Sequence, residues 1–239
     1  MIFPWLPEPE IEARAADLLQ RTFGPGLDRS RPIDLEEVLC YLSEKEQLSF
    51  DLDAELRAED GQLILGKTQP LRRRILISGS LRHDPDPGRA RFTVAHELGH
   101  WVLHRPLFVA RARELSLFGP DEIDGSFEFV GLNGAVFPSP GRAKIPREEW
   151  QANRFAISLL MDPGVLRVEF ERRFREPPVA WRSPQWRIRS SSLREHARRL
   201  AGCCVDDLPP IREIFGVSAE AMAIALETRG YAVADPPLI

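Results

Sequence analysis

Cysteine is scarce in this chain. There are three, Cys40, Cys203 and Cys204, among 239 residues. Two of them are neighbours, which close a disulfide only under strain, so no disulfide framework is expected and a reducing compartment fits best. Long apolar runs are missing as well: no stretch approaches the roughly 18 residues of a membrane span. The opening MIFPWLPEPEIEARA has neither the basic nor the apolar region of a signal peptide. The expectation is a soluble, cytoplasmic protein without a membrane partner. A positive charge excess is also absent, and a net charge of -4 excludes attraction of nucleic acid to the whole surface. Repeats and low-complexity tracts are not found. What remains is a globular composition, 43% hydrophobic and 28% charged, long enough for one domain or two small ones with a real core.

The charge is unevenly spread. Residues 164–200 hold ten arginines against four glutamates, so the rest of the chain is strongly acidic. The segment reads first as a solvated helical face and second as a surface for nucleic acid or an acidic partner.

Apolar spacing predicts a helix over 10–23, with Ile11, Ala15, Leu18 and Leu19 on one side. A second runs through Leu42 from an Asp34 N-cap, with Leu35, Val38, Leu39 and Leu42 as its stripe. Strands are expected at 47–52, 62–66 and 74–78, with turns at Asp60-Gly61 and Thr68–Leu71, giving a small antiparallel sheet. Segment 105–147 shows no strong helical period. It offers a strand at 127–130, a turn at Asn133-Gly134, and loop markers at Pro138, Pro140, Gly141 and Pro146. A strong helix at 147–161 ends at Asp162-Pro163-Gly164, residues 177–192 read as a connector, and short helices follow at 208–215 and 219–229.

The chemistry concentrates at 91–104, RFTVAHELGHWVLH, which contains an H-E-x-x-H. With five histidines in the chain, chance gives this pattern in roughly one such sequence in a hundred. On a helix, His96 and His100 lie on one face about 6 Å apart along the axis, so both imidazoles reach a single ion. Glu97 projects beside that face. It suits a general base that takes a proton from a zinc-activated water and passes it to a leaving amine. Gly99 permits close approach of another element.

A catalytic zinc site usually has three protein ligands. His104 lies about 12 Å along the axis from His96, too far to share the ion, and reads as a helix-end residue favoured by the dipole. His83 and His196 read as surface. A carboxylate at the start of the 147–161 helix, Glu148 or Glu149, can complete the set; the other reading is that both merely complement the helix N-terminus, and spacing leaves the two readings even. No residue is singled out to stabilise an oxyanion; His104, Tyr41, Tyr231 and the arginines of 105–147 all stay open.

Three stretches resemble the ImmA/IrrE-type metallopeptidases. RFTVAHELGHWVLH at 91–104 is similar to that family's R-F-T-x-A-H-E-x-x-H-x-x-L-H run. EWQANRFAISLLMDP at 149–163 resembles its E-x-x-A-N-x-F-A-x-x-L-L-M-P, and IREIFGVSAEAMAIAL at 211–226 its F-G-V-S-x-x-A-M helical pair. The resemblance implies an α+β zincin-like catalytic domain over 1–163, with a small antiparallel sheet packed on helices and an insertion or lid-like loop at 105–147. A helical C-terminal region follows over 164–239, with a helix-turn-helix-like pair at 208–229. It further implies His96, His100 and Glu149 as Zn2+ ligands and Glu97 as general base. The implied substrate is a partner protein, a helix-turn-helix repressor encoded nearby, which places the chain in transcription regulation and stress response. Gln151 departs from the pattern where many members have a second glutamate, and Asp162 intervenes between Met161 and Pro163. The last helix offers Arg229 as its single cation, so it reads as packing or protein-recognition structure before DNA reading. The alternative reading is a non-proteolytic regulatory or nucleic-acid-binding protein that keeps the fold.

Overall fold

The structure is a computed structural model and describes residues 3–58, 61, 63–116, 129–132, 145–175, 179–180 and 192–233. It is mixed α+β and forms two compact units, Met1–Leu27 with Asp34–Leu159, and Asp28–Ile33 with Leu160–Ile239.

The first unit opens with α1 (Glu8–Phe23) and α2 (Leu35–Glu46). Their buried residues are the eight that the apolar spacing selects, because each helix covers the core with one stripe. The Asp34 carboxylate accepts from the Glu36 and Glu37 amides and so caps α2. Next come β1 (Ser49–Ala54), β2 (Ile64–Gln69) and β3 (Arg74–Ser78), and later β4 (Phe129–Leu132), in the sheet order β1-β3-β2-β4.

The sheet is mixed, which corrects the antiparallel expectation. β2 is antiparallel to both β3 and β4, but β3 runs parallel to β1, with Phe50 beside Ile75. After β2 the chain turns back and inserts β3 between β1 and β2, and β3 takes an interior place, buried at four of five positions. Strand periodicity carries no information about which strands are neighbours. Thr68 and Gln69, expected in a turn, are the buried last residues of β2. The expected turn residue Asp60, the Asn133-Gly134 turn, the markers Pro138, Pro140 and Gly141, and most of the 177–192 connector lie outside the described residues.

A short 3-10 turn (Gly79–His83) leads into α3 (Pro87–Gly99), capped by Asp86. The helix does not end near His104. It widens into a π-helical turn over His100–His104, where the Arg105 amide donates to the His100 carbonyl, and continues as α4 (Arg105–Ser116). This corrects both the helix-end reading of His104 and the expectation of no helix after 105. Pro106 has no amide hydrogen for the preceding turn, and the helix widens immediately before it. Trp101 anchors the π turn: its indole N–H donates to Glu46 at 2.8 Å, and the Arg105 guanidinium stacks over its ring.

Helix α5 (Arg147–Leu160) packs on α3 where Gly99 lies. A strap, Phe3–Trp5, crosses the first turns of α5. Arg147 donates to the Phe3 carbonyl, Gln151 to the Pro4 carbonyl, and Trp5 stacks on Trp150. Phe3 also meets Phe108 of α4 in a small apolar cluster.

The second unit contains α6 (Pro163–Phe174), β5 (Val179–Ala180), α7 (Leu193–Gly202), α8 (Ile211–Phe215), α9 (Ala219–Thr228) and β6 (Ala232–Val233), with β5 and β6 parallel. Asp162 ends α5 by capping α6 through the Gly164 and Val165 amides, and it pairs with Arg29 at 2.6 Å. Residues Ala221–Leu226 of α9 are all buried, so that helix is a core element. His196 is fully buried in α7, against the surface expectation, because it shares the apolar face with Ala197, Leu200 and Ala201. His83 is exposed, as expected.

Candidate metal centre

Helical spacing does what the motif requires of it. His96 and His100 are buried, 2% and 1% exposed, and their Nε2 atoms face each other at 3.0 Å. Glu149, in the first turn of α5, brings Oε2 to 3.2 Å from His96 Nε2 and Oε1 to 3.3 Å from His100 Nε2. The three ligand atoms lie within 4.8 Å of one another, and the group can hold a metal ion. Spacing left open whether Glu148 or Glu149 serves as a ligand at all; the fold brings in Glu149. Two imidazole nitrogens and a carboxylate oxygen form a donor set suited to a divalent transition-metal ion.

Gly99 makes this convergence possible. A Cβ there would lie 3.0 Å from both Cα and the carbonyl oxygen of Ala152, so α3 and α5 touch through backbone at this point. Glu149 sits one turn before Ala152, which ties its position to that contact.

The outward nitrogens of both rings are held. His96 Nδ1 and Asn153 Oδ1 are 2.8 Å apart. His100 Nδ1 meets His104 Nδ1 at 3.0 Å, and His104 Nε2 meets Gln151 Oε1 at 2.9 Å. His104 is therefore a buried partner of His100 rather than a dipole-stabilised cation, and both its ring nitrogens are engaged. Asn153 and Gln151 received no role from the sequence. The signal available for Asn153 was its position one turn after Glu149 on the same face of α5, whereas Gln151, two residues on, points to a different side and meets His104 only through the fold.

Glu97 is fully buried and stands against β2. The Thr68 hydroxyl donates to its Oε2 at 2.6 Å, while Oε1 has no hydrogen-bond partner among the described residues. Gly66 of β2 provides the space, since a Cβ there would lie 2.5 Å from Oε1. Thr68 and Gly66 were not found from sequence, being contacts across the fold with no local pattern.

Electrostatics separates these groups. Burial pushes Glu97 up to about 7, against the pull of the His96 charge and the Thr68 hydroxyl. Burial also lowers His100 to about 3 and His104 to about 4, and both rings are neutral near pH 7. For His96 burial acts the same way, but the Glu149 and Glu97 carboxylates outweigh it and raise its value. Glu149 resists its own burial through hydrogen bonds to the two histidines, which hold it well below the usual carboxylate range. An ionised Glu149 and a neutral His100 are in their ligating states, and His96 joins them on giving up its proton.

Six of the seven described arginines of 164–200 are paired with carboxylates, and for Arg175 no ion pair is found among the described residues. Arg167 pairs with Glu171, Arg172 and Arg173 with Glu169, Arg198 with Glu220, and Arg199 with Glu195. Arg194 bridges Glu220 and Glu227. Arg182, Arg187 and Arg189 lie outside the described residues. No helix among the described residues is long and apolar enough to cross a membrane. In comparisons with known proteins, no family model and no curated protein matches the chain.

Proposed function

We propose that the chain is a zinc-dependent endopeptidase of ImmA/IrrE type that hydrolyses a peptide bond in a partner protein, a helix-turn-helix repressor encoded nearby. The observation that carries the reading is Glu97. Next to a three-residue metal-binding group stands a buried carboxylate with one oxygen fixed, the other unengaged, and a proton affinity near neutrality.

His96, His100 and Glu149 would hold the ion. Bound zinc supplies Lewis acidity, which acidifies a water and polarises a carbonyl. The remaining steps belong to the chain's own side chains. Thr68 fixes Glu97 through Oε2, so Oε1 is the atom that accepts the proton of the attacking water. The carboxylate takes that proton and returns it to the departing amine. Gly66 leaves Oε1 the space to do both.

The test incubates zinc-loaded protein with the helix-turn-helix regulator encoded beside its gene. Cleavage at a defined bond is expected, with Glu97→Gln retaining zinc and losing at least about 100-fold in rate, and His96→Ala losing zinc. Undiminished cleavage by Glu97→Gln overturns the mechanism. Zinc binding without cleavage of the regulator overturns the proposed substrate.

A further inference from the structure

A histidine binds a metal ion only through a nitrogen that carries no proton, so His100 must be the tautomer with Nδ1 protonated and Nε2 bare. We infer that His104 and Gln151 are positioning residues that impose this tautomer, through a hydrogen-bond chain whose polarity is fixed by the carbonyl of Pro4. The inference deepens the metal-site half of the proposed function and does not depend on peptidase activity.

The argument runs from the strap inwards. The Pro4 carbonyl can only accept, so the Gln151 group 2.8 Å from it is the amide NH2. That sets the amide's orientation, which local geometry alone often leaves open. Gln151 Oε1 then faces His104 Nε2 at 2.9 Å, and a carbonyl oxygen can only accept, so His104 Nε2 carries a hydrogen. His104 spends its ring hydrogen on Nε2, which leaves Nδ1 as its acceptor. His100 Nδ1, 3.0 Å away, must then donate to it. With its single proton on Nδ1, His100 presents a bare Nε2 to His96 Nε2 and Glu149.

Each link admits one direction once the first is set. The chain passes from the strap through α5 and the π turn to the ligand. Metal ligands whose outer nitrogen is held in this way bind more tightly, and loss of such a partner typically lowers affinity by about 10- to 100-fold.

The test reads the tautomers in metal-free protein by long-range 1H–15N correlation of the histidine rings. The expected result is His100 protonated on Nδ1 and His104 on Nε2. The opposite tautomer at either ring overturns the inference, whatever the protein does to a peptide. Gln151→Met removes both ends of the amide link and should give mixed tautomers at His104, with zinc affinity lowered about 10-fold or more in chelator competition. Unchanged tautomers and affinity in Gln151→Met overturn it. A rescue pair separates polarity from packing. His104→Asn places an amide oxygen where Nδ1 stood and should bind zinc more tightly than His104→Leu; equal affinities of the two count against the inference. Should Gln151→Met fail to fold, the wild-type spectrum alone still decides.

Discussion

Glu97 shows how one side chain can be poorly placed for stability and well placed for chemistry. Its value is about 7 in the folded chain against 4.5 when unfolded, because burial penalises the charge more than His96 and Thr68 relieve it. Between those two values the folded form retains a proton that the unfolded chain has released, so stability falls as pH rises through that window. The loss above it is about 3 kcal/mol. Glutamine cannot ionise. In protein stripped of metal by a chelator, the stability advantage of Glu97→Gln should therefore grow by about 3 kcal/mol between about pH 4.5 and pH 8 in urea unfolding. A constant difference across that range would mean that the carboxylate is not held this way. His100 and His104 act with the opposite sign. Their folded values of about 3 and about 4 lie below the ordinary 6.5, so the stability they confer on the metal-free protein is lost as pH falls below about 6.5.

At the scale of elements, the centre depends on how closely α3 and α5 approach. Gly99→Val would drive side-chain atoms into the Ala152 backbone, which cannot move as a side-chain tip can. Over-packing of this kind costs about 1–3 kcal/mol. It should also push Glu149 away from the histidines, weakening zinc binding about 10-fold, measurable by chelator competition on protein whose circular dichroism shows it folded. The element scale is also where the sequence was most legible. The stripes of α1 and α2, the Asp34 cap, and the pair His96 and His100 all follow from spacing within one element. The sheet order, the Thr68 bond to Glu97, and the partners of His104 do not, because each is a meeting of residues distant in the chain. His196 was misread because polarity alone does not say which face of a helix a residue occupies. Glu149 was reached from the family resemblance, where helical spacing alone could not choose it over Glu148.

On the scale of the whole molecule, every residue of the centre belongs to the first unit, and the described arginines of the second are largely spent on internal pairs. Among the described arginines of 164–200, Arg194 and Arg198 tie α7 to α9, and Arg167, Arg172, Arg173 and Arg199 pair within their own helices. Arg194 is the clearest case, a fork with both oxygens of Glu227 and a further bond to Glu220. Arg194→Ala should lower stability by about 1–2 kcal/mol, seen as a reduced denaturation midpoint. At physiological salt it should leave any affinity for duplex DNA unchanged in fluorescence anisotropy. A selective fall in DNA affinity with stability intact would instead favour the nucleic-acid reading.

The π turn at His100–His104 has a consequence for sequence length. A wider turn takes up an additional residue without breaking the helix, and each residue of an α-helix corresponds to about 100° of rotation. Deleting Val102 would be a one-residue gap in a continuous rod, the least conspicuous of changes in an alignment. Yet the wide turn would tighten to an ordinary one, so α4 would keep its orientation and Phe108 its place beside Phe3, while His104 would stand three residues after His100 instead of four. In this helix, spacing is inherited as strictly as the identities of the histidines.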